Sequence, residues 1–396
     1  MLYSSDELRR TLQEYLAWWG LKRFTSDADY FAWQRQQLSL TELNQLNAQI
    51  ERKRRGDPRD EIAFFDLTVQ STILPVLYSQ RYEYYREIGS RVSSRMGEAK
   101  GILDFGCGVG ILTTFYASQF PDKQFIGVDR SPASIAVARQ KAEEQGLSNV
   151  RFECLDVETA PLLGSYDLII ATQALVQAEQ DPGIPSQSWE TFERACNADQ
   201  QAAFEQRTGI GVRLDRLITR LNQDGRMIVF EKTRQLARRV PFQRALKGRG
   251  MQLIEAPELI RYRIVEEVVD DGPLYLLQKG GRALVNWNES PEPDEGLALD
   301  RVALQQKPGD PDVPLYENHA PSAQQAWEQL KDREIIKERT RQASDGRQLH
   351  VELGAAGGYV YLYCADSFDH RQLAIVQPSS AALLEAYYEE ILREVG

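Results

Sequence analysis

Ile102-Leu103-Asp104-Phe105-Gly106-Cys107-Gly108-Val109-Gly110 is an apolar run that breaks into three alternate glycines, and Ile111 opens a helical stretch. A strand, a glycine turn and a helix start bring backbone close to a ligand. Glycine removes the Cβ, and the helix start offers unpaired N–H groups and the positive end of a dipole. A dinucleotide fingerprint would place its third glycine at position 111, where isoleucine stands. An acid, Asp104, also lies two places before the first glycine. Both details count against a dinucleotide site.

Outward from this turn, short β-rich runs alternate with helix-length segments from about residue 99 to 285. The candidate strands are Gly101–Phe105, Gln124–Asp129, Val150–Leu155, Tyr166–Thr172, Arg226–Glu231, Met251–Leu253 and Leu274–Gln278. Helix-length spacing of the first five predicts a doubly wound, mostly parallel sheet of seven strands, with the last two as an antiparallel edge pair. Ser131-Pro132 supplies an N-cap and a proline at the first helical position.

The motif and the strands that follow it in order resemble those of class I S-adenosylmethionine-dependent methyltransferases, over about half of the chain. The resemblance implies a Rossmann-like core. It implies a cofactor loop of Asp104, Phe105, Gly106, Cys107, Gly108 and Gly110. Asp129, ending Phe125-Ile126-Gly127-Val128-Asp129, would hold the two ribose hydroxyls, with Arg130 beside it. In Phe152-Glu153-Cys154-Leu155-Asp156-Val157, Asp156 would accept from the adenine amino group and the Val157 backbone would meet the ring. Thr172 ends the fourth strand, which in the family faces the reacting methyl group. The implied cofactor is S-adenosylmethionine, leaving S-adenosylhomocysteine, with no metal.

An activated sulfonium donor needs alignment and exclusion of water more than a general base, so no catalytic residue is fixed by sequence; the candidates are Gln173, Tyr78 and Tyr82. Thr172-Gln173-Ala174-Leu175 stands where nucleic-acid amino-methylating relatives carry Asn/Asp-Pro-Pro-Tyr/Phe. The expected acceptor is a small molecule or a protein or peptide side chain. A non-catalytic cofactor-binding interaction protein and an RNA methyltransferase with a C-terminal substrate module stand as alternatives.

The flanks read as separate modules. Residues 1–98 are expected to be a helical cap or lid. Ser39-Leu40-Thr41-Glu42 fits a capping box, a basic run Arg52-Lys53-Arg54-Arg55 meets the breaker Gly56-Asp57-Pro58, and an aromatic segment runs from Phe64-Phe65-Asp66 through Tyr78, Tyr82, Tyr84 and Tyr85. Residues 99–285 are the core, 286–320 an acidic Pro/Gly linker, and 321–396 a small α+β accessory module with alternating strands around Leu349–Leu353 and Tyr359–Tyr363. Tyr359, Tyr361 and Tyr363 are read as a covered sheet face or as a base-stacking platform.

With 47 basic against 58 acidic residues the formal charge is −11, which disfavours nucleic acid and anionic membrane. No apolar run approaches the ~20 residues of a membrane span. Cys107, Cys154, Cys196 and Cys364 form no CxxC pair, and His319, His350 and His370 stand isolated without metal-ligand spacing. A cytoplasmic protein is expected, its oligomeric state left open.

Overall fold

The computed structural model describes residues 5–54, 58–176, 181–281, 283–292, 294, 296–307, 310, 312–343 and 346–394. Arg55, Gly56 and Asp57 of the basic run and breaker, and Pro293, Glu295, Pro308, Gly309 and Pro311 of the acidic stretch, lie outside them. The chain divides into two compact units: residues 1–181, 202–234 and 242–287 form the first, and 182–201, 235–241 and 288–396 the second.

In the first unit six helices precede the sheet: α1 (Ser5–Trp18), α2 (Asp27–Gln37), α3 (Leu40–Arg54), α4 (Pro58–Thr68), α5 (Ile73–Gln80) and α6 (Tyr82–Arg95). At the start of α3 the capping box is formed reciprocally. Glu42 N donates to Ser39 Oγ at 3.2 Å, and Ser39 N donates to Glu42 Oε2 at 2.8 Å. Hydrogen bonds from Ser39 and then Thr72 hold the Glu42 carboxyl down at about 2. Leu12 and Leu16 of α1 share a core with Ile88 and Val92 of α6 and with Phe115 and Tyr116 beyond the glycine turn.

The sheet and its connecting helices follow as β1 (Gly101–Phe105), α7 (Ile111–Gln119), β2 (Gln124–Asp129), α8 (Pro132–Glu144), β3 (Val150–Cys154), β4 (Tyr166–Thr172), α9 (Ala198–Thr208), α10 (Ile210–Ile218), β5 (Leu221–Phe230), α11 (Leu236–Gly248), β6 (Met251–Leu253), β7 (Glu258–Ile264) and β8 (Glu267–Lys279). Strand order is β3-β2-β1-β4-β5-β8-β6, with β7 also paired to β8. The β1–β5 pairings are parallel; β5–β8, β6–β8 and β7–β8 are antiparallel. This is the doubly wound sheet, of eight strands rather than seven. The extra strand β7 hides in Glu258–Ile264 because Arg261 and Arg263 alternate with buried Ile260 and Tyr262. Strand order reverses between β1 and β4, the place where open α/β sheets bind ligands.

The second unit contains α12 (Arg301–Gln306), β9 (Tyr316–His319), α13 (Ala320–Glu328), β10 (Glu334–Gln342), β11 (Gln348–Ala356), β12 (Tyr359–Asp366), β13 (Arg371–Val376) and α14 (Ala381–Glu394). Its antiparallel sheet runs β10-β11-β12-β13-β9. One face, with Val351, Leu353, Leu362 and Val376, packs under Leu384, Tyr388 and Leu392 of α14. The other holds Tyr361 and Tyr363 under Trp189 and Trp327. At 1% and 0% exposure these two tyrosines are a covered face and not an open stacking platform.

Two expectations are corrected here. The stretch 286–320 is no plain linker, since it carries α12, whose Leu304 is buried, and β9, which pairs with β13. The module does not begin at 321 either. Residues 182–201 belong to it through bonds such as Ser186 N to Ser367 O at 2.7 Å and Arg371 Nη2 to Thr191 O at 3.1 Å. Among the described residues no single helix is long and apolar enough to cross a membrane.

Candidate functional site

All three glycines of the turn adopt left-handed backbone, with φ of 74° at Gly106, 53° at Gly108 and 79° at Gly110. A Cβ on Gly106 would lie 2.3 Å from the Ala174 Cβ, while one on Gly108 would meet nothing within 4 Å. The turn is therefore tight on its protein side and open at its middle. That opening faces a cavity walled by the turn, the ends of β1, β2 and β4, and the N-terminal helices.

Asp104, Phe105, Gly106, Cys107, Gly108, Asp129, Arg130, Asp156, Val157, Thr172, Gln173 and Tyr78 all line this cavity. Gly110, the N-cap of α7, does not line it, although Val109 and Ile111 on either side do. Asp129 accepts from Gly108 N at 3.0 Å and from Ser131 N at 2.9 Å, one bond to each oxygen. Each oxygen keeps further acceptor capacity, so the carboxylate remains able to receive a vicinal diol. Asp156 accepts from Glu158 N at 2.9 Å, and Val157 is buried beneath it. Cys107 is held neutral: burial, then the charges of Asp129 and Asp104, push its thiol well up.

Asp104 is buried and receives the Thr113 hydroxyl at 2.5 Å. Burial is the main cause that lifts its carboxyl to about 7, with Asp129 adding to it. Glu231, at the end of β5, is lifted to about 7 by burial although it accepts from Ala174 N at 2.8 Å and Leu175 N at 2.7 Å. Both raised values favour the protonated folded state. Their contribution to stability is complete below the unfolded carboxyl range and is lost as pH rises from about 4 through about 7. The thermal midpoint of the ligand-free protein is expected to fall across that window, and Asp104→Asn should flatten the fall. Calorimetric melts from pH 4 to 8 check this; an unchanged slope in the variant removes Asp104 as its source.

The opposite wall comes from the N-terminal helices. Glu61 and Phe65 of α4 and Tyr78 of α5 reach the cavity, as do Arg81, Tyr84 and Tyr85, which share one helical face by their i, i+3, i+4 spacing. Glu61 pairs with Arg130, and Asp66 accepts from Ser131 Oγ at 2.6 Å, which ties α4 to the start of α8. The Arg81 guanidinium lies 4.2 Å from the Tyr84 ring centroid and donates to Gln173 Oε1. Gln173 has φ of 55°, an uncommon backbone for a residue with a side chain. Its Nε2 donates to Asp271 Oδ2 at 2.6 Å. The Asp271 carboxylate also receives the Tyr262 hydroxyl. Gln173 thus bonds Arg81, Asp271 and, at 3.4 Å, the Tyr262 hydroxyl.

Tyr82 does not join this group. It does not line the cavity and is buried elsewhere on α6, near Glu83, Arg86 and Arg23. One residue along a helix is about 100° round it, so Tyr82 turns away when Arg81 and Tyr85 turn in.

Arg213 of the cavity wall, Tyr262 and Asp271 that support Gln173, and one cluster in the second unit are missing from the expected set. Arg213 was signalled by its place on the apolar face of α10, three residues after Ile210 and one before Leu214. It donates to Glu158 Oε1 at 2.6 Å and to Leu175 O at 2.7 Å, and so holds the loop after β4. Tyr262 and Asp271 come from the unforeseen β7–β8 hairpin. His350, read as isolated, lies beside Glu338 and Glu352 in the second unit.

Residues 97–259 match the family model described as "Methyltransferase domain". A malonyl-[acyl-carrier protein] O-methyltransferase of Acetivibrio thermocellus is 44% identical over 70 residues, 18% of this chain and 24% of that protein. A trans-aconitate 2-methyltransferase of Deinococcus radiodurans is 37% identical over 89 residues, 22% and 32% of the two chains. The release factor glutamine methyltransferase of Escherichia coli is 28% identical over 153 residues, 37% and 54% of the two. The chain thus spans well under two thirds of the length of these curated relatives. Residues 97–259 of this chain thus resemble a methyltransferase domain.

Proposed function

We propose that the chain transfers a methyl group from S-adenosylmethionine to a small-molecule acceptor or to a protein or peptide side chain. The observation that carries this is one cavity shared by the Gly106–Gly110 turn, Asp129 and Asp156 on one wall and by Arg81, Tyr84, Tyr85 and Gln173 on the other. The relatives named above act, by their names, on an acyl-carrier protein, a small acid and a protein glutamine, which supports the class and leaves the acceptor open.

The residues fit the cofactor. Gly108 leaves open space where a side chain would project, Asp129 suits a diol, and buried Asp104 suits a cationic group, whose arrival would return it to the anion. When bound, S-adenosylmethionine supplies a methyl group already activated on a sulfonium. The chain's own residues then bind, orient and keep out water. Tyr78 and Tyr85, stacked at 6.4 Å with planes 6° apart, offer an aromatic surface, and Arg81 with Gln173 offers a fixed polar edge. A flat acceptor with one polar or anionic group fits that wall better than a phosphate backbone does.

Calorimetry with S-adenosylhomocysteine and with NAD tests the reading. Tight binding of the first and far weaker binding of the second is expected; the reverse order sinks it. Asp129→Ala should weaken S-adenosylhomocysteine by about 1.5–3 kcal/mol, the range for hydrogen bonds to a charged group. A folded variant that binds normally removes the ribose role from Asp129.

A further inference from the structure

The second unit holds a cluster that the methyl-transfer site does not use. In the β10–β11 ladder Glu338 stands opposite Glu352, and Thr340 opposite His350. The two-residue period of a strand puts all four on one face. One donor atom each from Glu338, His350 and Glu352 lies within 4.8 Å of the others.

The His350 ring is 3% exposed and stacks on Trp189, with centroids 3.7 Å apart and planes 5° from parallel. Its Nδ1 lies 2.9 Å from Thr340 Oγ1. With Nδ1–H given to that hydroxyl, Nε2 presents a lone pair. This Nε2 is buried with no hydrogen-bond partner. Its separation from Glu352 Oε2 is 3.6 Å, too long for a hydrogen bond. In that tautomer the lone pair faces a carboxylate oxygen and a cation between them removes the repulsion; in the other, where Thr340 donates to Nδ1, the cation takes the place of the Nε2 proton.

Glu352 is held for such a role. Its Oε1 receives the Tyr361 hydroxyl at 2.5 Å and Trp327 Nε1 at 3.2 Å, which leaves Oε2 turned to His350. Glu338 is exposed on the edge strand and gives access from solvent.

We propose that Glu338, His350 and Glu352 form a binding site for a first-row divalent cation. One imidazole nitrogen and two carboxylates are donors that such ions accept, and three protein ligands leave coordination positions open. Thr340, Tyr361 and Trp327 are the outer partners that orient the ligands, as metal-bound imidazoles and carboxylates require. Bonds of about 2.0–2.2 Å put neighbouring ligand atoms about 3.0–3.6 Å apart, so His350 and Glu352 at 3.6 Å are already spaced for an ion, and the exposed Glu338 side chain closes in by up to about 1 Å.

The test is a titration of the full chain with Mn²⁺, following the free-ion electron paramagnetic resonance signal, then competition with Zn²⁺. Mn²⁺ is the first probe because it prefers oxygen and nitrogen donors, whereas Zn²⁺ alone would also report the exposed Cys154 and Cys196. One saturable site per chain is expected, with Zn²⁺ displacing Mn²⁺ and Trp189 fluorescence changing in step. Glu338→Gln should weaken binding roughly tenfold or more, and His350→Gln should abolish it. Glu338 stands exposed on an edge strand, so its substitution decides the matter even where His350→Gln does not fold. No saturable binding, or binding unchanged in Glu338→Gln, overturns the site; a proton shared by His350 and Glu352 would then neutralise the pair.

Discussion

Ending the chain near residue 285 is expected to leave a protein that is insoluble, or that melts far below the full chain. The acidic Pro/Gly stretch invites the opposite view, that of a tail hung on a linker. The second unit is instead assembled from three separate segments. Arg194, whose side chain is fully buried, pairs with Asp369. Asp369 also accepts from Ala237 N at 2.7 Å. Arg239, 1% exposed, pairs with Glu292 at 3.0 Å and donates to Ser290 O at 2.5 Å. Truncation keeps both arginines and removes their partners. The segments 182–201 and 235–241 stay in the truncated chain without the residues they fold against, and what they buried is left to solvent or to aggregation. Size-exclusion chromatography and calorimetric melting of a 1–285 chain check this. A monodisperse truncation that melts within a few degrees of the full chain would restore the linker reading.

What could be read in advance follows burial. Strands β1, β2, β4 and most of β5 are covered on both faces, so they appear as apolar runs. Their carboxyl ends, with Asp104, Asp129 and Thr172, were placed for the same reason. Strand β7 and the first half of β8 are half-exposed, and their hairpin turns on Val265 at φ 56° rather than on a glycine. No turn residue announced them, so Tyr262 and Asp271 went unseen. Residues 182–201 have no periodicity and are held by arginines and backbone bonds to residues far along the chain, which spacing cannot reveal. The aromatic helix was legible as an element. Which of its residues turn inward depends on where its axis lies, and that separated Arg81, Tyr84 and Tyr85 from Tyr82.

Gly106 and Gly108 should respond differently to one added methyl group. Gly106→Ala is expected to lower stability by ~2–5 kcal/mol. About 1–2 kcal/mol comes from holding a side-chain residue in left-handed backbone. A further 1–3 kcal/mol comes from forcing a methyl into filled space, here 2.3 Å from the Ala174 Cβ. Ala174 cannot give way readily, because Glu231 holds its N–H and Arg213 its carbonyl. Gly108→Ala carries the same backbone strain but no clash, since nothing lies within 4 Å of the added carbon. Its loss of stability should stay near 1–2 kcal/mol. Its added methyl enters the cavity, where the ligand is proposed to approach the backbone, and S-adenosylhomocysteine binding should weaken by roughly 1–3 kcal/mol. Chemical denaturation and calorimetry on the two variants separate the effects: the first fails mainly in folding, the second mainly in binding. Should Gly108→Ala bind S-adenosylhomocysteine as tightly as the unaltered chain, the ligand does not cross the middle of the turn and the proposed cofactor site is wrong.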